Sequence, residues 1–341
     1  MRLIVHAIDP SSMQPVRDIT DLISSETGRI ERSLDSDIPE SGELHFAGLS
    51  SWLANLIRIT AVDDDTGSEC VLGTFFATPS EVQRVHGLIA GTIHLDGTLL
   101  ALSSTMLPST YVATTGMASQ QVIIDMCRIA GRAERITQHT LAGNARYTEP
   151  TFYEAGTPVL DICKEAAEKA GIRLASDREG YVIIKPIDAD GAQWQRWTTS
   201  PSSTDIISDI DMGLAWMQSP TRVIATYSDS DVTLSATASI EDSPMDASSR
   251  GRHIDSHVSI TDLGAPSLLA LRGEAEKALA QQHQQDVVWQ FESLFRDFDA
   301  GAPAQVVDID DSIVLDGRVS NLTLSLDAMM TMSVTVRGAI R

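Results

Sequence analysis

The stretch Leu56-Ile57-Arg58-Ile59-Thr60-Ala61-Val62, followed by Asp63-Asp64-Asp65-Thr66-Gly67, decides the fold expected for this chain. The first run is rich in β-branched residues and predicts a strand, and the Asp- and Gly-rich run after it predicts a turn. Cys70 to Ala77 resumes an extended pattern, and Gly87 to Leu95 predicts another strand, closed by a turn at Asp96-Gly97. These residues therefore predict a small antiparallel β unit without a helix.

The same order of features returns near the carboxyl end of the sequence. Gln305 to Ile309 predicts a strand, Asp310-Asp311-Ser312 an acidic turn, and Val314-Leu315 the start of the next strand. Val334 to Gly338 then ends the second copy in a glycine, as Ile93 to Gly97 ends the first. The repetition predicts one small β-barrel used twice, near residues 55–97 and 305–338.

The middle of the sequence has helical patterns. Ser119 is expected to cap a helix that runs to about Ala130 and stops at Gly131. Thr157-Pro158 is expected to begin a second helix that stops at Gly171. The residues expected to face inward are Val122, Ile123, Met126, Ile129, Val159, Cys163, Ala166 and Ala170.

A hairpin is expected directly after the second helix and against it. Ile172 to Ala175 and Tyr181 to Ile184 are its predicted strands, and Ser176 to Gly180 is its turn. Further on, the patterns predict a linker at Pro201–Thr204, strands at Thr221–Tyr227 and Val232–Ser239, and a loop at Glu241–Gly251. A helix is expected from Pro266 to about Gln282, with Leu268, Leu271, Ala275 and Leu279 on one side. A strand with Val287, Trp289 and Phe291 inward is expected after it.

Together these elements predict an α+β fold that is predominantly β, with two similar small β-barrel domains. The expected divisions are residues 1–105 for the first barrel, 106–187 for an inserted α/β module, 188–240 with 300–341 for the second barrel, and 241–299 for a helix-containing segment.

Composition argues against nucleic-acid binding. The formal net charge is -22, whereas a nucleic-acid binder needs a clustered basic surface to neutralise phosphates. The densest basic cluster is Arg128, Arg132 and Arg135, near a predicted helix end, where cations complement the helix dipole. We therefore interpret this cluster as structural.

Cysteine usage and the terminal sequence bear on the compartment. Cys70, Cys127 and Cys163 are far apart and lack a paired spacing, which fits a reducing environment. The amino terminus has too short an apolar run for a signal peptide, and no window reaches the ~20 apolar residues of a membrane span. We expect synthesis in a cytoplasm and no stable membrane insertion.

A search for chemistry predicts no catalytic, cofactor-binding or metal-binding residues. The Asp63 to Glu69 run departs from a calcium loop, which needs an acid where Gly67 stands and a glycine where Ser68 stands. His253 and His257 are expected on extended chain, where four residues span about 13 Å, too far for one metal ion. Nucleophile elbows, P-loops and zinc-protease motifs are absent from the sequence. A glycosidase carboxylate pair has no short motif, so a hydrolase stays an alternative.

A resemblance to a known family covers essentially the whole chain. Its most telling stretches are Arg29–Ile38, Leu72–Phe76, Tyr153–Pro158 with the helix after it, and Gly180–Pro186. With the order of β unit, inserted module, second β unit and helical excursion, the sequence resembles the tail hub proteins of bacteriophages, that is, the baseplate hub or minor tail proteins of siphophages.

The resemblance implies a structural protein of the virion tail tip with no cofactor. It implies a homotrimer whose two β domains per subunit alternate around six positions, matching a six-fold tail tube. It further implies partners, namely a distal tail or tail tube protein on one side and a tip, fibre or receptor-binding protein on the other. Phage DNA would pass through the channel without specific binding. The alternatives are a β-rich carbohydrate-binding module or hydrolase, and the hub of a phage-derived injection device.

Overall fold

The chain folds into two compact parts in the computed structural model. The structure describes residues 1–48, 54–85, 88–132, 145–186, 194–199, 205–213, 218–229, 232–241, 243, 245–261, 267–309 and 313–340. The first part comprises Met1–Gly191 and Thr323–Met330, and the second comprises Ala192–Leu322 and Thr331–Arg341. The predicted linker at Pro201–Thr204 lies outside the described residues. Strands predominate in both parts, so the predicted α+β fold of mainly β character is confirmed.

The first β unit contains seven strands: β1 Arg2–Ile8, β2 Pro15–Asp18, β3 Ile23–Ser33, β4 Glu40–Gly48, β5 Leu56–Val62, β6 Glu69–Val85 and β7 Leu88–Gly97. They lie side by side in the order β3-β4-β7-β6-β5-β1-β2. A 3-10 turn at Thr20–Leu22 precedes β3. The strands predicted from the opening stretch are confirmed, because β5, β6 and β7 form an antiparallel meander.

One turn prediction in this unit is wrong. Asp96 and Gly97 do not form a hairpin turn but continue β7, where Asp96 pairs with Ser41 of β4 and with Phe76 of β6. The backbone groups of this dipeptide are used by strands on both sides, and this pairing overrides the local turn preference of Asp-Gly. The chain turns later, at Thr98 and Leu99, and enters a helix.

The inserted module follows with α1 Leu100–Ser104, β8 Tyr111–Ala113, α2 Ser119–Ile129, β9 Thr151–Tyr153, α3 Val159–Lys169, β10 Ile172–Ser176 and β11 Val182–Pro186. The two long helices and the β10–β11 hairpin are as predicted, and Gly131 and Gly171 end the helices with φ of 64° and 62°. The residues predicted inward line a shared core, with Ala170 packed at its margin. Ile129 is an exception and is 37% exposed.

The predicted caps of these two helices are wrong. Ser119 is the first residue of α2 and is buried, so its hydroxyl does not reach the backbone N–H groups of the first turn. The cap position is held by Ala118 in α2 and by Pro158 in α3, without a side-chain hydrogen bond. Thr157 instead donates its hydroxyl hydrogen to the carbonyl of Glu154, at 2.8 Å.

The structure also reveals a repeat inside the module. Strand β8 and helix α2 return 40 residues later as β9 and α3, since β8 and α2 begin at Tyr111 and Ser119 while β9 and α3 begin at Thr151 and Val159. The connecting bonds are reciprocal. The N–H of Leu107 donates to the carbonyl of Thr157 at 2.9 Å, and the N–H of Tyr147 donates to that of Met117 at 3.0 Å. The two halves are therefore related as a pseudo-symmetric pair.

The second part contains β12 Gln195–Thr198, β13 Asp211–Met212, β14 Arg222–Ser228, β15 Thr233–Ser239, α4 Ala247–Arg250, β16 Asp255–Ile260, α5 Leu268–Asp286, β17 Val288–Leu294, β18 Pro303–Asp308, β19 Ile313–Ser325 and β20 Thr331–Ile340. Six of them form the second β unit, in the order β13-β17-β20-β19-β18-β12.

Strands β14, β15 and β16 form a separate three-stranded sheet. The strands predicted at 221–227 and 232–239 exist as β14 and β15. They pair with each other, and β14 also pairs with β16 instead of with the second β unit. The reason is that α5 buries Leu271, Ala275 and Leu279 against Val223 and Ala225 of β14. The helix-containing segment thus begins earlier than residue 241.

Further details of this segment differ from the prediction. The expected loop at 241–251 contains α4, a single turn with Asp246 at its cap, where the Asp246 carboxylate accepts a hydrogen bond from the N–H of Ser249. Of the four residues predicted on one side of α5, Leu271, Ala275 and Leu279 are buried, whereas Leu268, in the first turn of that helix, is 59% exposed. Pro266 lies outside the described residues.

Candidate assembly surfaces

The two β units share one topology. In chain order, the first uses β1, β3, β4, β5, β6 and β7, and the second uses β12, β13, β17, β18, β19 and β20. In both, the strands lie in the spatial order second, third, sixth, fifth, fourth, first. One pairing differs, because β1 is antiparallel to β5 whereas β12 is parallel to β18. Six strands in the same non-sequential order make a duplication the simplest account of the two units.

The acidic turn of the first unit is built from its own hydrogen bonds. The Asp63 carboxylate accepts from the Thr66 hydroxyl at 2.8 Å and from the N–H of Asp65 at 3.0 Å. These bonds, that of Thr66 above all, lower the pKa of Asp63. Gly67 closes the turn at φ of 70°. The neighbouring Asp64 lies 3.2 Å from the amino-terminal nitrogen. The carboxylates therefore stabilise the turn.

The second acidic turn is described only in part, because Asp310, Asp311 and Ser312 lie outside the described residues. Its first carboxylate, that of Asp308, is buried at the end of β18 and accepts a hydrogen bond from the Thr199 hydroxyl at 3.0 Å. The same hydroxyl oxygen accepts from the N–H of Ile309 at 3.0 Å. Asp308 thus ties β18 to the chain that follows β12.

His253 and His257 lie on chain that is not helical, as expected. His257 lies on β16, and its Nε2 is 3.0 Å from the hydroxyl oxygen of Thr226 on β14. His253 precedes that strand, on non-helical chain. Among the described residues, no group of three or more His, Cys, Asp or Glu side chains could hold a metal ion.

The arginines of the basic cluster separate in the structure. Arg128, in the last turn of α2, pairs with Asp125 at 3.4 Å. Arg132 is buried and donates to the carbonyl of Gly180 at 2.7 Å, with its guanidinium 5.6 Å from the ring centre of Phe76. Burial lowers the pKa of Arg132. Arg135 lies outside the described residues. The two described arginines do not form a common basic surface.

The β10–β11 turn that accepts from Arg132 is also fastened to the first β unit by two side chains of that unit. Arg58 donates to the carbonyl of Glu179 at 2.9 Å, and the Thr74 hydroxyl donates to the carbonyl of Arg178 at 2.9 Å. Sequence reasoning missed this contact, because all its acceptors are backbone carbonyls of a turn more than a hundred residues from β5 and β6. No periodicity marks such a partner.

A cavity of ≈ 430 Å³ lies in the first part, bordered by the β3–β4 loop and α3. It contains two carboxylates, Asp37 and Glu168. Asp37 is 82% exposed and lies 2.5 Å from the Lys164 ammonium. Asp37 is exposed and ion-paired, whereas the acid of a glycosidase lies in enclosed surroundings that raise its pKa. The cavity therefore gives the hydrolase alternative no support.

The β6–β7 hairpin has an exposed end. Residues 78–84 are all exposed, and Val82 is 52% exposed. The register of β6 against β7 shifts between Pro79 and Glu81, which marks a β-bulge. A Cβ at Gly91 would overlap the Glu81 carbonyl, so glycine permits the close approach of the two strands at the bulge.

Among the described residues, none of the helices combines the length and apolar character that crossing a bilayer requires. Cys127 and Cys163 are buried and Cys70 is partly buried, and none of the three forms a disulfide bond. Burial raises the pKa of Cys163.

The fold defined by these two β units is found in known proteins. No protein-family model matches the sequence, and no curated protein matches it either. Among solved structures, the 43 kDa tail protein of prophage MuSo2 from Shewanella oneidensis has a TM-score of 0.64 at 10% identity, with 98% of each chain covered. The tail protein from Neisseria meningitidis MC58 has a TM-score of 0.62 at 14% identity, with 99% of this chain and 97% of that chain covered.

A component of the Escherichia coli type VI secretion system, itself described as similar to T4 bacteriophage tail proteins, has a TM-score of 0.52 at 11% identity, covering 93% of this chain and 74% of that chain. The chain therefore has the fold of phage tail proteins over nearly its whole length. The resemblance inferred from the sequence is confirmed at the level of the fold.

Proposed function

We propose that this protein is the structural hub of a phage tail tip. In this proposal three copies form a ring that joins a six-fold tail tube to the tip, fibre or receptor-binding proteins. The observation that carries it is the duplicated β unit, because two equivalent units per chain let three chains occupy six positions. The shared fold with prophage tail proteins supports it.

The proposal assigns a distinct role to each segment. The two β units form the ring, and the α/β module of residues 106–187 and the segment built on β14, β15, β16 and α5 lie outside it. The polar contact of Arg58 and Thr74 with the β10–β11 turn supports a module held against its β unit. The chain acts by assembly and not by catalysis.

Charge supports the proposed passage of DNA. The formal net charge of -22 repels phosphates, so DNA in the channel of such a ring would move without specific binding. The test is an electrophoretic mobility assay with double-stranded DNA at low salt. We expect the assembled ring not to retard the DNA. Retardation would contradict the passage of DNA without binding.

The ring itself is tested by measuring mass in solution and imaging the particles. We expect sedimentation equilibrium to fit a trimer, and averaged electron micrographs to show a ring with three-fold symmetry and six similar lobes. A chain that stays monomeric at every concentration would overturn the ring.

One specific observation favours a second candidate, the hub of a phage-derived injection device, because the fold also extends to the type VI secretion component. Both functions require the same ring. Antibody labelling of purified particles separates them. Label at the tip of tails attached to DNA-filled capsids supports the phage hub, and label on particles without capsids supports the device.

A further inference from the structure

The two β units end in equivalent hairpins whose surroundings differ. β6 and β7 are the fifth and sixth strands of the first unit, and β19 and β20 are those of the second. The end of the β19–β20 hairpin, Thr323–Met330, belongs to the first part of the chain. There Leu326 is 1% exposed, and its N–H donates to the carbonyl of Gly28 on β3 at 2.8 Å. This hairpin end is therefore seated against the second strand of a β unit.

Among the described residues, no strand of another β unit lies against the equivalent end of the β6–β7 hairpin. β6 pairs with β5 only as far as Phe76, opposite Leu56, while its pairing with β7 continues to Val85. Beyond Phe76, the outer edge of β6 faces no partner strand among the described residues. Pro79 supplies no N–H, so the available edge runs from Ser80 to Arg84. An open edge of this kind is a template for pairing with another chain.

The second β unit has a strand edge equivalent to the β3 edge that contacts the β19–β20 hairpin. The strand equivalent to β3 is β13, which lies at the end of its strand order, next to β17. The chain approaches it alongside β17, because the N–H of Ile207 donates to the carbonyl of Glu292 at 2.9 Å and that of Gly213 to the carbonyl of Val288 at 3.2 Å. We call Ile207–Gly213 the receiving edge.

The side chains of the two edges are complementary. Val82 and Ile207 are exposed apolar residues, at 52% and 43% exposure, one on each edge. Arg84 is exposed on the hairpin, and Asp211 is exposed on the receiving edge. Apolar contact and opposite charge therefore favour the same pair of edges, although an exposed ion pair adds only about 0.2–1 kcal/mol.

We propose that the outer edge of β6, Ser80–Arg84, pairs with the receiving edge of a second copy of this chain. The contact repeats between chains what the β19–β20 hairpin does within one chain. It joins unlike surfaces, so successive copies add head to tail and close into a ring when the rotation allows. That the ring closes at three copies rests on the proposed function, whereas the contact itself rests on the hairpin equivalence.

The contact is tested by cross-linking two differently tagged chains, both in a Cys70→Ser background. One chain carries Val82→Cys and the other Ile207→Cys, so a link between the tags joins a hairpin to a receiving edge of another molecule. With a short bis-maleimide we expect the two-tag product from this mixture. The matched control replaces Ile207→Cys with Val16→Cys, a residue 58% exposed on β2, and is expected to give none.

A second measurement uses Val82→Asp, which places a carboxylate at the centre of the proposed contact. We expect its association constant in sedimentation to fall at least tenfold, and that of Val16→Asp to equal the wild type. Circular dichroism of each variant establishes that the monomer is folded. If the wild type assembles while Val82→Asp assembles equally well and no two-tag product forms, the hairpin contact is overturned and the proposed ring stands. If the wild type never assembles, the ring fails with it.

Discussion

Replacement of Trp197 tests what holds the second β unit together. Trp197 lies on β12, is fully buried, and meets two rings edge-on. Its ring centre is 5.2 Å from that of Phe291 and 5.6 Å from that of Phe298. The guanidinium of Arg296 lies 5.4 Å from the same ring centre. The indole N–H finds no acceptor among the described residues.

Two substitutions at this position should differ strongly in cost. A buried tryptophan removes about 200 Å² from water, which at about 25 cal/mol per Å² is about 5 kcal/mol, an upper estimate. We expect Trp197→Ala to lower the free energy of unfolding by about 4 kcal/mol, in the range of about 3–5 kcal/mol for such truncations. Trp197→Phe should cost only about 1 kcal/mol, because it keeps an apolar ring and removes a buried, unpaired N–H whose desolvation costs about 1–3 kcal/mol.

The assay is urea unfolding followed by far-ultraviolet circular dichroism, with hydrogen exchange of peptides from β12 and β17 to assign the transition to the second part of the chain. Trp194→Ala is the matched control, since Trp194 is 59% exposed three residues earlier, and it should stay within about 0.5 kcal/mol of the wild type. Equal losses for Trp197→Phe and Trp197→Ala would refute the reasoning, because the N–H would then be contributing to stability.

Three further predictions concern the first part of the chain. Arg132→Ala should lower the free energy of unfolding by about 2–3 kcal/mol, because a backbone carbonyl of the β10–β11 turn loses a charged donor. The control Arg128→Ala should change it by about 0.5 kcal/mol or less, and equal effects of the two variants in thermal denaturation would contradict this prediction. The pKa of Asp63 is lowered, so its contribution to stability is present above the ordinary carboxyl pKa of about 3.9 and is lost as pH falls through the lower pKa of the folded state. Asp63→Asn should therefore make the urea midpoint depend less on pH below about pH 4, and an unchanged dependence would argue against the hydrogen bonds of the turn. In a thiol titration of the native protein only Cys70 should react, with the buried thiols, Cys163 among them, appearing after denaturation.

The sequence predicted the elements with strong local patterns. The β-branched run at 56–62 became β5, and the helix of residues 119–129 ends at Gly131 as expected, because periodicity and glycine chemistry act over a few residues. Predictions failed where pairing with residues distant in sequence determines the local structure. Asp96-Gly97 has a strong turn preference but is a strand, since β4 and β6 both pair with it.

The assembly surfaces were less predictable. Matching acidic turns and strands that end in glycine pointed to a duplication, but they do not reveal the order of the strands or which strand edges lack a partner. The polar contact of Arg132 escaped prediction for a related reason, since its acceptor is a main-chain carbonyl and every residue has one. The 40-residue repeat in the module escaped because its halves share backbone geometry and burial more than residue identity.

By itself, the sequence determined the mainly β class, the duplication, the inserted helices and the strongly negative net charge. These properties follow from short-range preference, repetition and net charge, all of which are additive along the chain. Only the tertiary structure decided that the second hairpin contacts β3, whereas the outer edge of the first has no partner strand among the described residues. The pairing of a strand edge depends on which distant backbone lies beside it. That difference between two otherwise equivalent hairpins is what points to a second copy of the chain as the missing partner.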